Sequence, residues 1–158
     1  MPFTRGPVLM YVGGGQYKTV GSTLYVGSRD VIVIPDGFCT DLATIPRIFW
    51  AFMPPTGSYE RAAVLHDHGC VELANGTCAL SPRDVDGLFR RVMRECGVGF
   101  VTRWVMWAGV RWGAAANPCR RPGWWRDGPL VVLITALIGA VVAGAVWAVD
   151  AAAHWLIP

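Results

Sequence analysis

Apolar and polar positions change rhythm along this chain. Between residues 8 and 34 the apolar positions come in short runs: Val8–Val12, Tyr17–Val20, Thr23–Val26 and Val31–Ile34. They are rich in β-branched and aromatic side chains, and Gly13-Gly14-Gly15, Gly21-Ser22 and Gly27-Ser28-Arg29-Asp30 separate them. Such runs read as strands and such separators as turns. Connections this short make neighbouring strands antiparallel. The expectation is one small meander, with Val31–Ile34 as its most buried strand.

After residue 40 the period lengthens. Pro46 opens a short helix, Arg47–Met53, which Pro54-Pro55 stops. A second helix is expected over Tyr59–Gly69, with Ser58 as N-cap. Ser81-Pro82-Arg83-Asp84 places a capping serine, a proline and an acid where a helix begins. Behind it Val85, Leu88, Phe89, Val92, Met93 and Cys96 share one helical face. Arg83, Arg90, Arg91, Arg94 and Glu95 take the other, and Gly97 and Gly99 end the helix. Phe100–Ala115, carrying Trp104, Trp107 and Trp112, is the next helix, and Asn117-Pro118 breaks it. Two long helices forming an αα-hairpin against a sheet give an α+β class.

The tail has a different character. Gly128 to Val149 holds 22 residues without a charge, between Asp127 and Asp150. At about 1.5 Å per residue this helix is roughly 33 Å long, the hydrocarbon thickness of a bilayer. Arg120, Arg121, Trp124, Trp125 and Arg126 precede it and Trp155 follows it, the residues expected at a membrane interface. The reading is a compact domain over 1–118, a basic and aromatic linker over 119–127, and one transmembrane helix over 128–157 in contact with lipid. No Lys or Arg follows the span, so the positive-inside rule puts the N-terminal domain in the cytoplasm and Pro158 outside. Gly139, Ala140, Ala143 and Gly144 space small residues four apart, which lets another helix approach closely. Asp150 and His154 lie one turn apart at the far end.

Composition sharpens this. The chain is 53% apolar and 16% charged, against roughly 25% charged in soluble domains. Its net charge of +3, on thirteen Arg and one Lys, is too small to argue for nucleic-acid binding. The N-terminus lacks the apolar run and cleavage site of a signal peptide. Cys39, Cys70, Cys78, Cys96 and Cys119 are odd in number and do not form a disulfide framework. Cys70 and Cys78 flank Asn75-Gly76, a pair that an oxidising compartment would close.

Asp41, His66, Asp67 and Asp86 are the polar residues that an apolar chain must explain. They come from three elements expected to pack together. Two acids and an imidazole suit a divalent metal, whose bound water would then serve hydrolysis. A second metal reading is a structural zinc on His66, Cys70, Cys78 and Cys39. A thiol–imidazole pair of Cys70 or Cys39 with His66 lacks an orienting third group in the sequence. Against these stands a structural network: Asp41 capping a turn, His66-Asp67 tying helix to strand, and Asp86 at a helix start.

IPDGFCTDLATIPRIFW, YERAAVLHDH and SPRDVDGLFRRVM, followed by a Trp-rich helix, resemble the phage-associated domain of unknown function 1353 family. The matching positions are Pro35, Gly37, Phe38, Thr40, Asp41, Ala43, Ile45, Pro46, Ala62, His66, Asp67, Asp86 and Phe89. Thr44 departs from the usual serine, and His68-Gly69-Cys70 replaces an aromatic-rich continuation. The resemblance covers roughly residues 8–115 and implies a bacteriophage or prophage origin, without implying an activity. The expectation is a membrane-anchoring virion or tail component of infection, leaning away from an enzyme and resident in the virion or the host inner membrane. Its partners would be lipid, other phage proteins or another copy. The alternatives are a membrane-tethered metal-dependent hydrolase on the four acid and histidine positions, and a lysis or superinfection-exclusion protein.

Overall fold

The computed structural model describes residues 3–27, 31–42 and 57–156. The helix expected over Arg47–Met53, and Ala43, Thr44, Ile45 and Pro46, lie outside these residues. Six strands come first: β1 (Phe3–Arg5), β2 (Leu9–Gly13), β3 (Gln16–Thr19), β4 (Thr23–Val26), β5 (Val31–Ile34) and β6 (Cys39–Thr40). Among the described residues four α-helices follow, α1 (Glu60–Asn75), α2 (Pro82–Glu95), α3 (Phe100–Ala116) and α4 (Gly128–Leu156), with a short 3-10 turn at Trp124–Arg126 before the last. The class is α+β.

The strands form two antiparallel sheets, β1-β4-β5 and β2-β3-β6, in place of the single meander. The β2–β3 and β4–β5 hairpins form as the glycine turns require. Between them, however, β3 takes β6 and β4 takes β1 as its second neighbour, so β3 and β4 do not pair. The turn Pro35-Asp36-Gly37 carries the chain from one sheet to the other. Gly37 adopts φ 76°, open to glycine without a Cβ penalty. Thr19 Oγ1 donates to Pro35 O at 2.8 Å and accepts from Phe38 N at 2.8 Å. Asp36 Oδ1 accepts from Gly21 N at 2.7 Å.

β5 is not the most buried strand. It is the outer member of its sheet, and its alternation turns Val31 and Val33 to solvent while Ile34 is fully buried. The core lies between the sheets and the helices, from Phe3, Tyr25, Ile34 and Leu42 to Ala62, Val64, Leu65, Phe89, Val92 and Met93.

The helices differ from expectation mainly at α1, which runs on past Gly69. Gly76, with φ 71°, ends it: its N–H donates to Leu73 O at 3.2 Å and Thr77 N donates to Glu72 O at 3.0 Å. The N-cap is Tyr59, one residue after Ser58, and Glu60 Oε1 accepts from Gly57 N at 2.9 Å. Gly69 serves packing: a Cβ there would stand 2.9 Å from Val85 Cγ1 of α2. α2 starts as expected, with Ser81 accepting from Asp84 N. Arg90 leaves its solvent face to lie 4.0 Å over Trp104 of α3. A second small cluster of Trp107, Ala108 and Val131 joins α3 to the first turns of α4.

Gly69→Ala should therefore lower the melting temperature, although alanine favours a helix by about 1 kcal/mol. Gly87→Ala in α2, where a Cβ meets nothing within 4 Å, should raise stability by up to about 1 kcal/mol. Thermal unfolding of the full chain in detergent, followed by circular dichroism, checks the pair. Equal gains in both variants would rule out the close α1–α2 contact.

Candidate functional site

The four polar positions divide into two groups. His66 and Asp86 meet in the interior; Thr40 and Asp67 meet at the end of the strands. Asp41 is exposed, and the described partners of His66 do not include it.

Asp86 is at the centre. Its position on the helical face of Val85 and Phe89 directs it inward, and it has no exposed surface. Its Oδ1 accepts from His66 Nε2 at 2.7 Å and from Arg120 NH2 at 2.6 Å. Its Oδ2 accepts from Arg111 NH1 at 2.8 Å. Arg111 is also wholly buried, and its NH2 stands 3.4 Å from Asp127 Oδ2, close enough for charge attraction but outside hydrogen-bond geometry. Asp127 in turn accepts from Arg83 Nε at 3.0 Å and Arg83 NH2 at 2.9 Å. A continuous line of charges thus runs from α1 through α2 and α3 to the start of α4.

The electrostatics follow from this crowding. Burial pushes the Asp86 carboxyl upward, but His66, Arg120 and Arg111 outweigh it and hold the group below its ordinary value. Burial opposes the charging of His66, but the carboxylates of Asp67 and Asp86 and the Cys70 thiol beside it outweigh that and raise its pKa well above 6.5. His66 Nε2 donates to the Asp86 carboxylate, an arrangement that favours the imidazolium form. Arg120 NH2, 3.2 Å from that nitrogen, donates to the same carboxylate oxygen as a neighbouring cation.

At the strand end, Thr40 Oγ1 donates to Asp67 Oδ2 and accepts from Leu42 N at 2.9 Å. Leu42 is buried with φ 57°, a left-handed conformation uncommon outside glycine, and this bond helps hold it. Asp67 Oδ1 lies 3.8 Å from His66 Nδ1. The two halves of the sequence motif are joined through Thr40 and Asp67.

Two hollows flank this centre. One, of about 370 Å³, lies between β5 and the helices and includes His66, His68, Glu72 and Cys78 in its lining. The other, of about 320 Å³, holds Asp41, Asp67, Cys39 and Cys70. Asp41 and His66 open to different sides, as do Cys39 and Cys78. Among the described residues no group of three or more His, Cys, Asp or Glu converges on an ion position. All five cysteines are free. Cys70 Sγ is 3.8 Å from His66 Nδ1 and 3.7 Å from its Nε2.

The residues flanking α4 also divide. Arg120 turns inward, and Trp124 Nε1 donates to Arg111 O at 2.6 Å. Arg121, Trp125 and Arg126 remain exposed before the helix, and Trp155 after it. Asp150 Oδ2 and His154 Nε2 are 3.8 Å apart at the far end. Sequence reasoning missed Arg111 and Arg120 as partners of Asp86, having put Arg120 at the membrane interface, and it missed the Arg83–Asp127 pair that extends the network. Arg111 carried a signal: it sits one turn after Trp107 on the tryptophan-rich side of its helix, where only a buried acid makes a charge tolerable.

Residues 19–110 match the family described as protein of unknown function DUF1353, and the chain belongs to that family. Searches of curated proteins and of solved structures found no match.

Asp86→Asn should destabilise the chain by about 3–5 kcal/mol, since it leaves Arg111 buried without its counter-charge. The network also sets a pH dependence. The His66 contribution is complete below pH 6.5 and is lost as pH rises through its raised pKa. That of Asp86 is complete above pH 3.8 and is lost as pH falls through its lowered pKa. The melting temperature should thus decline as pH rises above 6.5, and His66→Gln should remove most of that decline. A decline that His66→Gln leaves unaltered would mean that the imidazole is not charged in the fold.

Proposed function

We propose that this chain is a membrane-anchored, non-catalytic protein of bacteriophage or prophage origin, in which the Asp–His constellation is a clamp between the domain and its anchor. The observation that carries this reading is the condition of Asp86. Its two oxygens accept from His66, Arg120 and Arg111, three cationic or ring donors, in a site without solvent exposure, which leaves no open approach for a metal or a reacting water. The same network continues to Asp127, immediately before α4.

α4 supports the anchoring half of the reading. From Gly128 to Trp155 it is long and apolar enough to cross a membrane, and only 6% of its most apolar window is covered by the rest of the chain. A soluble core helix would be covered. Exposed Arg121 and Arg126 before the helix favour a cytoplasmic domain. The exposed small-residue face at Gly139, Ala140, Ala143 and Gly144 suits contact with another helix in the bilayer, from a second copy or another phage protein. The phage assignment rests on the motif resemblance, and a virion or infection role is the form it takes for an anchored domain.

Expressed in bacterial cells, the full chain should stay in the membrane pellet through alkaline carbonate extraction. Val142→Arg, which places a charge near mid-span at a cost of about 2.5–3.5 kcal/mol, should move a measurable fraction into the extract. Extraction of the unaltered chain would overturn the anchoring. Mass spectrometry of purified particles then separates the two residences: detection supports a virion component, and absence removes it in favour of the host membrane.

A further inference from the structure

α3 carries an uncharged face that the other described elements cover only in part. Val101, Val105, Gly109, Trp112 and Ala116 follow one another at helical spacing. Val101, Gly109, Trp112 and Ala116 are exposed, and Val105 is half-buried against the main core. The two charged residues of α3 point elsewhere: Arg111 into the ion network and Arg103 beside the Phe100 ring, 5.1 Å from its centre. A face this apolar on a helix end needs an occupant.

The length of α4 identifies it. The 22 uncharged residues between Asp127 and Asp150 supply roughly 33 Å. A hydrocarbon core of about 30 Å uses about 20 of them. The first turns of α4 are therefore within the bilayer, since a span displaced toward the C-terminus would carry Asp150 into hydrocarbon. Yet these are the turns that pack on α3. Val131 is buried against Trp107 and Ala108, and Thr135 Oγ1 accepts from Trp112 Nε1 at 2.9 Å. Thr135 lies about 10 Å along the helix from Gly128, so Trp112 shares that depth. The polar atoms at this level are satisfied internally, as a lipid environment requires: Thr135 Oγ1 also donates to Val131 O at 2.8 Å.

We infer that α3 is embedded in the cytoplasmic leaflet beside α4, with Val101, Gly109, Trp112 and Ala116 against lipid acyl chains. The domain is then partly sunk in the membrane through a second helix that does not cross it. This rests on α4 being the span, so the test reads the two helices separately.

The full chain, with its five cysteines replaced by serine and its helicity checked by circular dichroism, is labelled with a nitroxide at Gly109→Cys, Val142→Cys or Lys18→Cys. Each is reconstituted in phosphatidylcholine vesicles. Collision of the label with oxygen and with a water-soluble nickel chelate is then measured. Gly109 should resemble Val142, with an oxygen-to-nickel ratio several-fold above that of Lys18. A water-exposed Gly109 with a lipid-exposed Val142 overturns the embedding and leaves the span standing. Water exposure at both removes the span as well. Protection of Gly109 from both reagents also overturns the embedding, and spectral broadening that fades on dilution with unlabelled chain then identifies a second copy as the cover. Trp112→Phe with the natural cysteines gives an independent reading. Lipids brominated midway along the acyl chain should quench the wild type more strongly than the variant, and equal quenching counts against the inference.

Discussion

The carboxylate of Asp86 is the constraint on which the helical half depends. It collects His66 from α1, Arg111 from α3 and Arg120 from the segment before α4, and it sits on α2 itself. Removing a charge from water is costly, and the cost is offset only when partners and geometry are complete. Here three donors approach two oxygens within hydrogen-bond distance. The arrangement therefore does more for register than for net stability: helices shifted by a residue would leave an uncompensated charge in the interior. A core of Val92, Met93 and Phe89 alone would tolerate such shifts far better.

The strand half solves a different problem. Two small sheets must share one core, and the Pro35-Asp36-Gly37 turn passes the chain between them. Thr19 and Asp36 secure the turn, and Thr40 then delivers its hydroxyl to Asp67. Asp67 and His66 are adjacent on α1, so the sheet end and the buried charge network are separated by one residue. What looks in the sequence like one site is two neighbouring joints, one on each side of α1.

Much of this was legible from residue types. Ser81-Pro82 and the period of Val85, Leu88, Phe89, Val92 and Met93 defined α2, because caps and apolar spacing are local signals. The long uncharged tail stood out for the same reason. The α1 boundary was misplaced because Gly69 reads locally as a stop, whereas its use is a close approach to Val85, a tertiary fact. The division into two sheets depended on β1 and β6, strands of three and two residues that carry almost no pattern. At the site, His66, Asp67 and Asp86 were visible as polar residues in apolar surroundings. Their pairing was not, because Arg111 and Arg120 come from 25 and 34 residues beyond Asp86.

Asp127 has a mechanical consequence. Its carbonyl accepts from Val131 N at 3.0 Å in the first turn of α4, while its carboxylate is gripped twice by Arg83. The same residue thus belongs to the shaft and to the housing. In the anchored reading proposed above, any tilt of α4 must turn the domain with it or detach an ion pair. The helix is then a lever fixed at its fulcrum.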